Sequence, residues 1–164
     1  MFATRRPGLL AAALLALAAL AAPARGDDKA TLLAALERGR TSSQDGKYGE
    51  AAANYEKAYA LAPTVFGPNS INMAGIRALL ADCYQQMGDY ARAESFYQQA
   101  LTGSEARPGG RHDPLTAEVL MNLASLYREL GQYAKAEPLY QRSLAVWEAK
   151  LGKDHPDVAA SLNN

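Results

Sequence analysis

The strongest constraint on the fold of this chain is a short sequence pattern that occurs three times. A glycine followed two residues later by a tyrosine appears at Gly46, Gly88 and Gly131, which are 42 and 43 residues apart. Each copy continues at fixed distances with an alanine, an aromatic residue and a small residue: Ala51, Tyr55 and Ala58; Ala93, Tyr97 and Ala100; Ala136, Tyr140 and Ser143. Self-similarity at a fixed period predicts that one structural unit is repeated along the chain.

The spacing inside each unit predicts a pair of helices. Leu80, Tyr84 and Met87 precede one glycine at intervals of four and three, while Tyr97 and Ala100 follow it at a similar period. Residues three and four apart share one face of a helix, and a glycine ends a helix in the left-handed conformation at little steric cost. We therefore expect antiparallel hairpins in which alanines let helices approach and tyrosines and leucines fill the gaps between hairpins.

These residues resemble the tetratricopeptide repeat, and the third unit is similar to the kinesin-light-chain variety with 42-residue repeats. The motifs that carry this similarity are Asn122–Tyr127, Tyr133–Leu144 and Leu151–Ala159. The resemblance implies an all-α fold, a right-handed superhelical solenoid of antiparallel helix hairpins. It covers residues 27–164, with units at about 28–68, 69–111 and 112–154 and the start of a fourth at 155–164.

The two ends of the repeat array depart from the pattern. In the first unit, Arg38 and Ser42 replace the expected leucine and tyrosine, so residues 28–44 form either a full repeat helix or a looser cap. At the other end, residues 161–164 match residues 119–122, and no capping helix follows. Because solenoids need capped ends, we expect a fragment of a longer protein or an end that a partner covers.

The first 26 residues have the composition of a secretory signal peptide. Arg5 and Arg6 precede an apolar run of 14 residues, Leu9 to Ala22, and cleavage is expected after Ala24 or Gly26. The alternative is an uncleaved membrane anchor, although the run is short against the ~20 residues that span a bilayer. The prediction is an exported protein, periplasmic or secreted, without stable membrane insertion after cleavage.

The net charge and the positions of the histidines and the cysteine argue against several functions. The 17 basic and 17 acidic residues give no net charge, so no general attraction to nucleic acid is expected. His112 and His155 recur in matching loops, but a metal site needs three or four converging ligands. Cys83, the single cysteine, has no histidine within its own hairpin to act as a base. We expect no enzyme activity, no metal and no cofactor.

The tetratricopeptide resemblance implies that the first helices of successive hairpins line a concave groove that receives extended or helical peptides. The groove residues that it implies here are Leu79, Asp82, Gln85, Gln86, Met121, Asn122, Ser125, Arg128 and Glu129. Asn122 can present a donor and an acceptor to a peptide backbone, although a polar helix face is often merely solvated.

The expected function is a protein–protein interaction scaffold that binds a peptide or partner protein in this groove. The alternative is an N-terminal assembly module of a larger exported or envelope protein.

Overall fold

The computed structural model describes residues 26–151, and within them the chain forms six α-helices and no strand. The helices are α1 (Gly26–Gln44), α2 (Tyr48–Phe66), α3 (Ile71–Gln86), α4 (Tyr90–Glu105), α5 (Pro114–Glu129) and α6 (Tyr133–Leu151), with a 3₁₀ turn at Gly110–His112. They pair in chain order as three antiparallel hairpins, and each hairpin packs on the next. The predicted fold class is confirmed. The predicted signal peptide and the start of a fourth unit lie outside the described residues.

Each hairpin turns at the predicted glycine. Gly46, Gly88 and Gly131 have φ angles of 75°, 77° and 71°, in the left-handed region that side chains disfavour. The N–H of the residue after each glycine donates to a carbonyl five residues earlier; Asp89 bonds the Tyr84 carbonyl at 2.9 Å, for example. This bond closes the last turn of the first helix and satisfies a carbonyl that would otherwise have no partner.

Side chains at the helix starts fix where the second and third hairpins begin. Ser70 precedes α3, and Asp113 precedes α5, where its carboxylate accepts from the Leu115 amide at 2.9 Å. Pro114 is the first residue of α5, where a missing amide donor costs little. Pro138 is the sixth residue of α6 and so lies inside that helix.

The core consists mainly of small residues and tyrosines at the repeated positions. Ala58 and Ala100 are fully buried, as are Tyr97 and, to within 2%, Tyr55. In the third hairpin the small residue is Ser143, whose buried hydroxyl donates to the Ala117 carbonyl at 2.6 Å. Small side chains let paired helices come close, and the large rings then fill the space beside them.

A second set of contacts involves aromatic side chains, first within the second hairpin and then between neighbouring hairpins. Phe96 of α4 stacks on Tyr84 of α3 with ring centroids 5.6 Å apart, and it meets Tyr59 of α2 edge-on. The Tyr84 hydroxyl donates to Glu56 in the preceding hairpin, and the Tyr127 hydroxyl donates to Glu94 in the same relation. Burial, more than the neighbouring carboxylates, raises the pKa of both tyrosines, so both remain protonated donors at neutral pH.

The sequence predicted that the tyrosines fill the gaps between hairpins, but this is wrong for the three tyrosines that lie two residues after the turn glycines. Tyr90 is 39% exposed, Tyr133 is 68% exposed, and Tyr48 is half-buried. Each is the first residue of its helix, so its ring lies at the edge where the hairpin turns. The exposed Met87 lies at the same edge.

The first unit forms a full repeat helix despite its altered sequence. The helix α1 runs without interruption over 19 residues and buries Leu32, Ala35, Leu36 and Gly39. Arg38 is exposed, and Ser42 is half-buried. The two helices of this hairpin come close at Gly39, where an added Cβ would lie 2.5 Å from Cε1 of Tyr55. The ring of Tyr55 therefore packs directly against the α1 backbone.

Gly39→Ala is expected to destabilise the fold by about 1–3 kcal/mol, because the new methyl overlaps the Tyr55 ring in a filled core. Gly49→Ala is the matched control, since its Cβ would meet only the Met87 sulfur at 3.9 Å. The control should be neutral or stabilising by up to ~1 kcal/mol, because alanine favours helix. Urea unfolding of both variants measures the difference, and equal stabilities would contradict this packing.

Candidate protein-binding groove

The predicted groove residues lie on α3 and α5, the first helices of the second and third hairpins, which contact one another directly. We call the surface formed by these nine residues the α3–α5 groove. Gln86, Arg128 and Glu129 are exposed, and Asp82 and Met121 are half-buried. The remaining four are buried, with exposures of 9% for Leu79, 5% for Gln85, 8% for Asn122 and 2% for Ser125.

The nine residues predicted to line the groove are thus not equally accessible. Three of the buried four are hydrogen-bonded to another helix, Gln85 to Tyr97, Asn122 to Asp82 and Ser125 to Tyr140. We call the buried four, with Asp82, the floor of the groove. The accessible surface is therefore limited to five of the nine residues, of which only Met121 is apolar. Whether these residues contact a partner stays a prediction.

A buried polar network forms the floor of the groove and joins three helices. The Tyr97 hydroxyl of α4 donates to the Asp82 carboxylate of α3, and the Asn122 amide of α5 donates to the same oxygen at 3.3 Å. Gln85 Oε1 is also 3.0 Å from the Tyr97 hydroxyl. One phenol proton serves only one acceptor at a time, so the two acceptors share it. An amide donor of Asn122 is thus used inside the protein.

A hydrogen bond equivalent to that between Tyr97 and Asp82 occurs in the third hairpin, where both partners are uncharged. Ser125 and Tyr140 each lie 43 residues after Asp82 and Tyr97, and their hydroxyls are 2.9 Å apart. In both hairpins the side chain that follows the small residue of the first helix meets the hydroxyl of the repeat tyrosine. The floor of the groove is therefore tied to the second helix of each of these hairpins.

The candidate reactive groups considered from the sequence were Cys83, His112 and His155. Cys83 is 1% exposed, and burial raises its pKa to about 12, so the thiol is protonated at neutral pH. Within residues 26–151, no group of three or more histidine, cysteine, aspartate or glutamate side chains could hold a metal ion. His112 is exposed, and His155 lies outside the described part of the chain. None of the described helices is both long and apolar enough to cross a membrane.

Comparison with known proteins identifies the family. The tetratricopeptide repeat model matches residues 30–106 and 115–164, so the chain belongs to the tetratricopeptide repeat family. The crystal structure of BtubC (BKLC) from P. vanneervenii resembles the fold with a TM-score of 0.73 and 23% sequence identity over 94% of this chain. The chain spans 59% of the length of that neighbour. A search of curated proteins found no match. The resemblance to the tetratricopeptide repeat that the sequence indicated is therefore confirmed.

Tyr97→Phe is expected to cost about 1–3 kcal/mol of folding free energy, because it removes a donor from the Asp82 carboxylate. Tyr55→Phe is the matched control at the same repeat position. It should change the stability little, because the Tyr55 hydroxyl makes no hydrogen bond to the described residues. Chemical denaturation of both variants checks the pair; an equal loss in both would contradict the network.

Proposed function

We propose that the chain is a non-catalytic scaffold that binds a segment of a partner protein in the α3–α5 groove. Tetratricopeptide repeats generally mediate protein–protein interaction. The observation that carries the proposal is the half-buried Met121, which is adjacent in sequence to Asn122 and its hydrogen bond to α3, on helices that also bear exposed Gln86 and Arg128. An apolar contact beside a few polar groups is the arrangement by which binding sites combine affinity with orientation.

The polar floor supports this function because it fixes the surface before a partner arrives. The Asp82–Asn122 hydrogen bond crosses from one hairpin to the next, between residues 40 positions apart. It therefore favours one relative placement of α3 and α5. A surface that is already ordered loses less conformational freedom on binding, so more of the contact energy appears as affinity.

The proposal includes export of the chain and no chemistry of its own. Export rests on the charged and apolar pattern of residues 1–26. The absence of a role in catalysis rests on the protonated, buried Cys83 thiol and on the family, whose scaffold fold is generally non-enzymatic. The partner is expected to be a protein or peptide and not a nucleic acid, because the chain carries no net charge.

The second function we propose is an assembly module of a larger exported or envelope protein. The observation that favours it is the row of exposed apolar side chains at the turn edge, Met87, Tyr90 and Tyr133. Neighbouring domains would bury such a row by stacking on it. The groove would then play no part, so the experiment below also separates the two proposals.

Peptides selected by the full chain from a random dodecapeptide library test the groove. Met121→Ala and Arg128→Ala should each weaken the selected peptides at least about fivefold, because each removes a contact from an accessible part of the groove. Lys57→Ala is the control, an exposed residue of α2 outside the groove. Titration calorimetry measures the affinities, and unchanged affinity in both groove variants would remove the groove assignment.

A further inference from the structure

Arg77 of α3 is a partly enclosed cation without an acidic partner. The residue is half-buried, and within residues 26–151 its guanidinium forms no ion pair with an aspartate or glutamate. Nε donates to the hydroxyl oxygen of Tyr59 on α2 at 3.3 Å, and the two Nη atoms make no hydrogen bond with the described chain. Both Nη atoms remain open to solvent, because the sealed side-chain atoms without a partner in this part of the chain belong to Gln85 and Arg107.

Contacts with two other helices position this guanidinium. Its Cζ atom is 5.6 Å from the centroid of the Tyr59 ring, and Phe96 of α4 meets the same ring edge-on with centroids 6.2 Å apart. On α4, a Cβ added at Gly103 would lie 3.2 Å from Nη1 of Arg77, which is closer than an ordinary van der Waals contact. The lack of a side chain at Gly103 therefore leaves the space in which this nitrogen lies.

The equivalent three positions are aliphatic where the second hairpin packs on the third. At the repeat spacing of 42 or 43 residues, they are Leu120 for Arg77, Leu101 for Tyr59 and Val146 for Gly103. Leu120 is fully buried, so this position belongs to the core of the third hairpin. Enclosing an unpaired charge is unfavourable, so packing alone does not account for an arginine there in the second hairpin.

The groups left over at this place are all hydrogen-bond donors. The Tyr59 hydroxyl accepts from Arg77 and donates to none of the described residues, so its proton is unused, like the N–H groups on the two Nη atoms. The paired N–H groups of a guanidinium match the two oxygens of a carboxylate or a phosphate. One cation balances the single charge of a carboxylate, whereas it would leave part of the charge of a phosphate unpaired.

We propose that Arg77 and Tyr59 form a binding site for a carboxylate group, which accepts hydrogen bonds from the Nη atoms and from the phenol hydroxyl. The site lies on the side of α3 that meets α2 and α4, and neither residue is among the nine of the α3–α5 groove. The inference is therefore independent of the groove proposal. A small free acid and an aspartate or glutamate side chain of a partner protein share this chemistry.

Nitrogen–proton spectra of the arginine side chains test the site in the full chain. Sodium acetate is titrated against sodium chloride at equal ionic strength, and the Nε signal of Arg77 is identified by its loss in Arg77→Met. That signal should saturate at an acetate concentration about tenfold below the one needed at Arg111, an exposed arginine that serves as the matched control. Saturation at Arg77 no earlier than at Arg111 would overturn the inference.

Two further substitutions test the individual donors. Tyr59→Phe should weaken acetate binding about fivefold, because it removes the phenol donor and keeps the ring. Arg77→Lys should weaken it at least as much, because lysine keeps the charge but lacks the paired N–H groups. Tyr133→Phe is the control for loss of a hydroxyl and should change nothing, since Tyr133 lies at the turn edge. Equal affinity in Tyr59→Phe and the native chain would contradict the proposed site.

The melting temperature and two other probes complete the test. Acetate should raise the melting temperature of the native chain relative to chloride and leave that of Arg77→Met unchanged, because a ligand that binds the folded state stabilises it. Phosphate that binds more tightly than acetate would overturn the choice of a carboxylate. N-acetylglutamate N-methylamide represents a glutamate within a protein: binding equal to that of acetate supports a partner's side chain, and binding of acetate alone supports a small free acid.

Discussion

The packing of a large ring against a small residue of the paired helix is the contact on which the rest of the structure depends. It is most direct in the first hairpin, where the Tyr55 ring leaves no room for a Cβ at Gly39. Ala81 and Ala124 occupy the equivalent positions of the other hairpins, and both are fully buried. A close, filled pairing of this kind sets how far apart the two helices stand, and that spacing shapes the face that each hairpin presents to the next.

The position that follows each small residue of the first helix carries a polar or charged side chain. The residue after each small residue is Arg40, Asp82 or Ser125, so the chain places a cation, an anion and a hydroxyl at one repeated position. Where that residue reaches the tyrosine hydroxyl, the pair becomes part of the floor, as with Asp82 and Tyr97. Where it turns to a neighbour, as Arg40 does to Glu37, it makes no such hydrogen bond with the tyrosine. A position that is uniform in shape can thus vary in hydrogen bonding.

The fold was predictable from sequence because its signals are local and repeated. The turn at Gly88 and the buried face that includes Leu80 and Tyr97 follow from spacing alone, since each depends on residues within one hairpin. The groove was less predictable, because the Asp82–Asn122 bond depends on how two hairpins rotate against each other. The exposure of Tyr133 was missed for a related reason: periodicity gives the face of a helix and not which edge of the solenoid stays open.

The most direct measurement of the central claim is the cost of Gly39→Ala in two backgrounds, the native chain and the Tyr55→Leu variant. If the ring of Tyr55 is what excludes a methyl at position 39, the two substitutions couple by roughly 1 kcal/mol or more, and the cost largely disappears in the leucine background. Equal costs of unfolding in both backgrounds would contradict the account, because the small residue would then serve something other than the tyrosine.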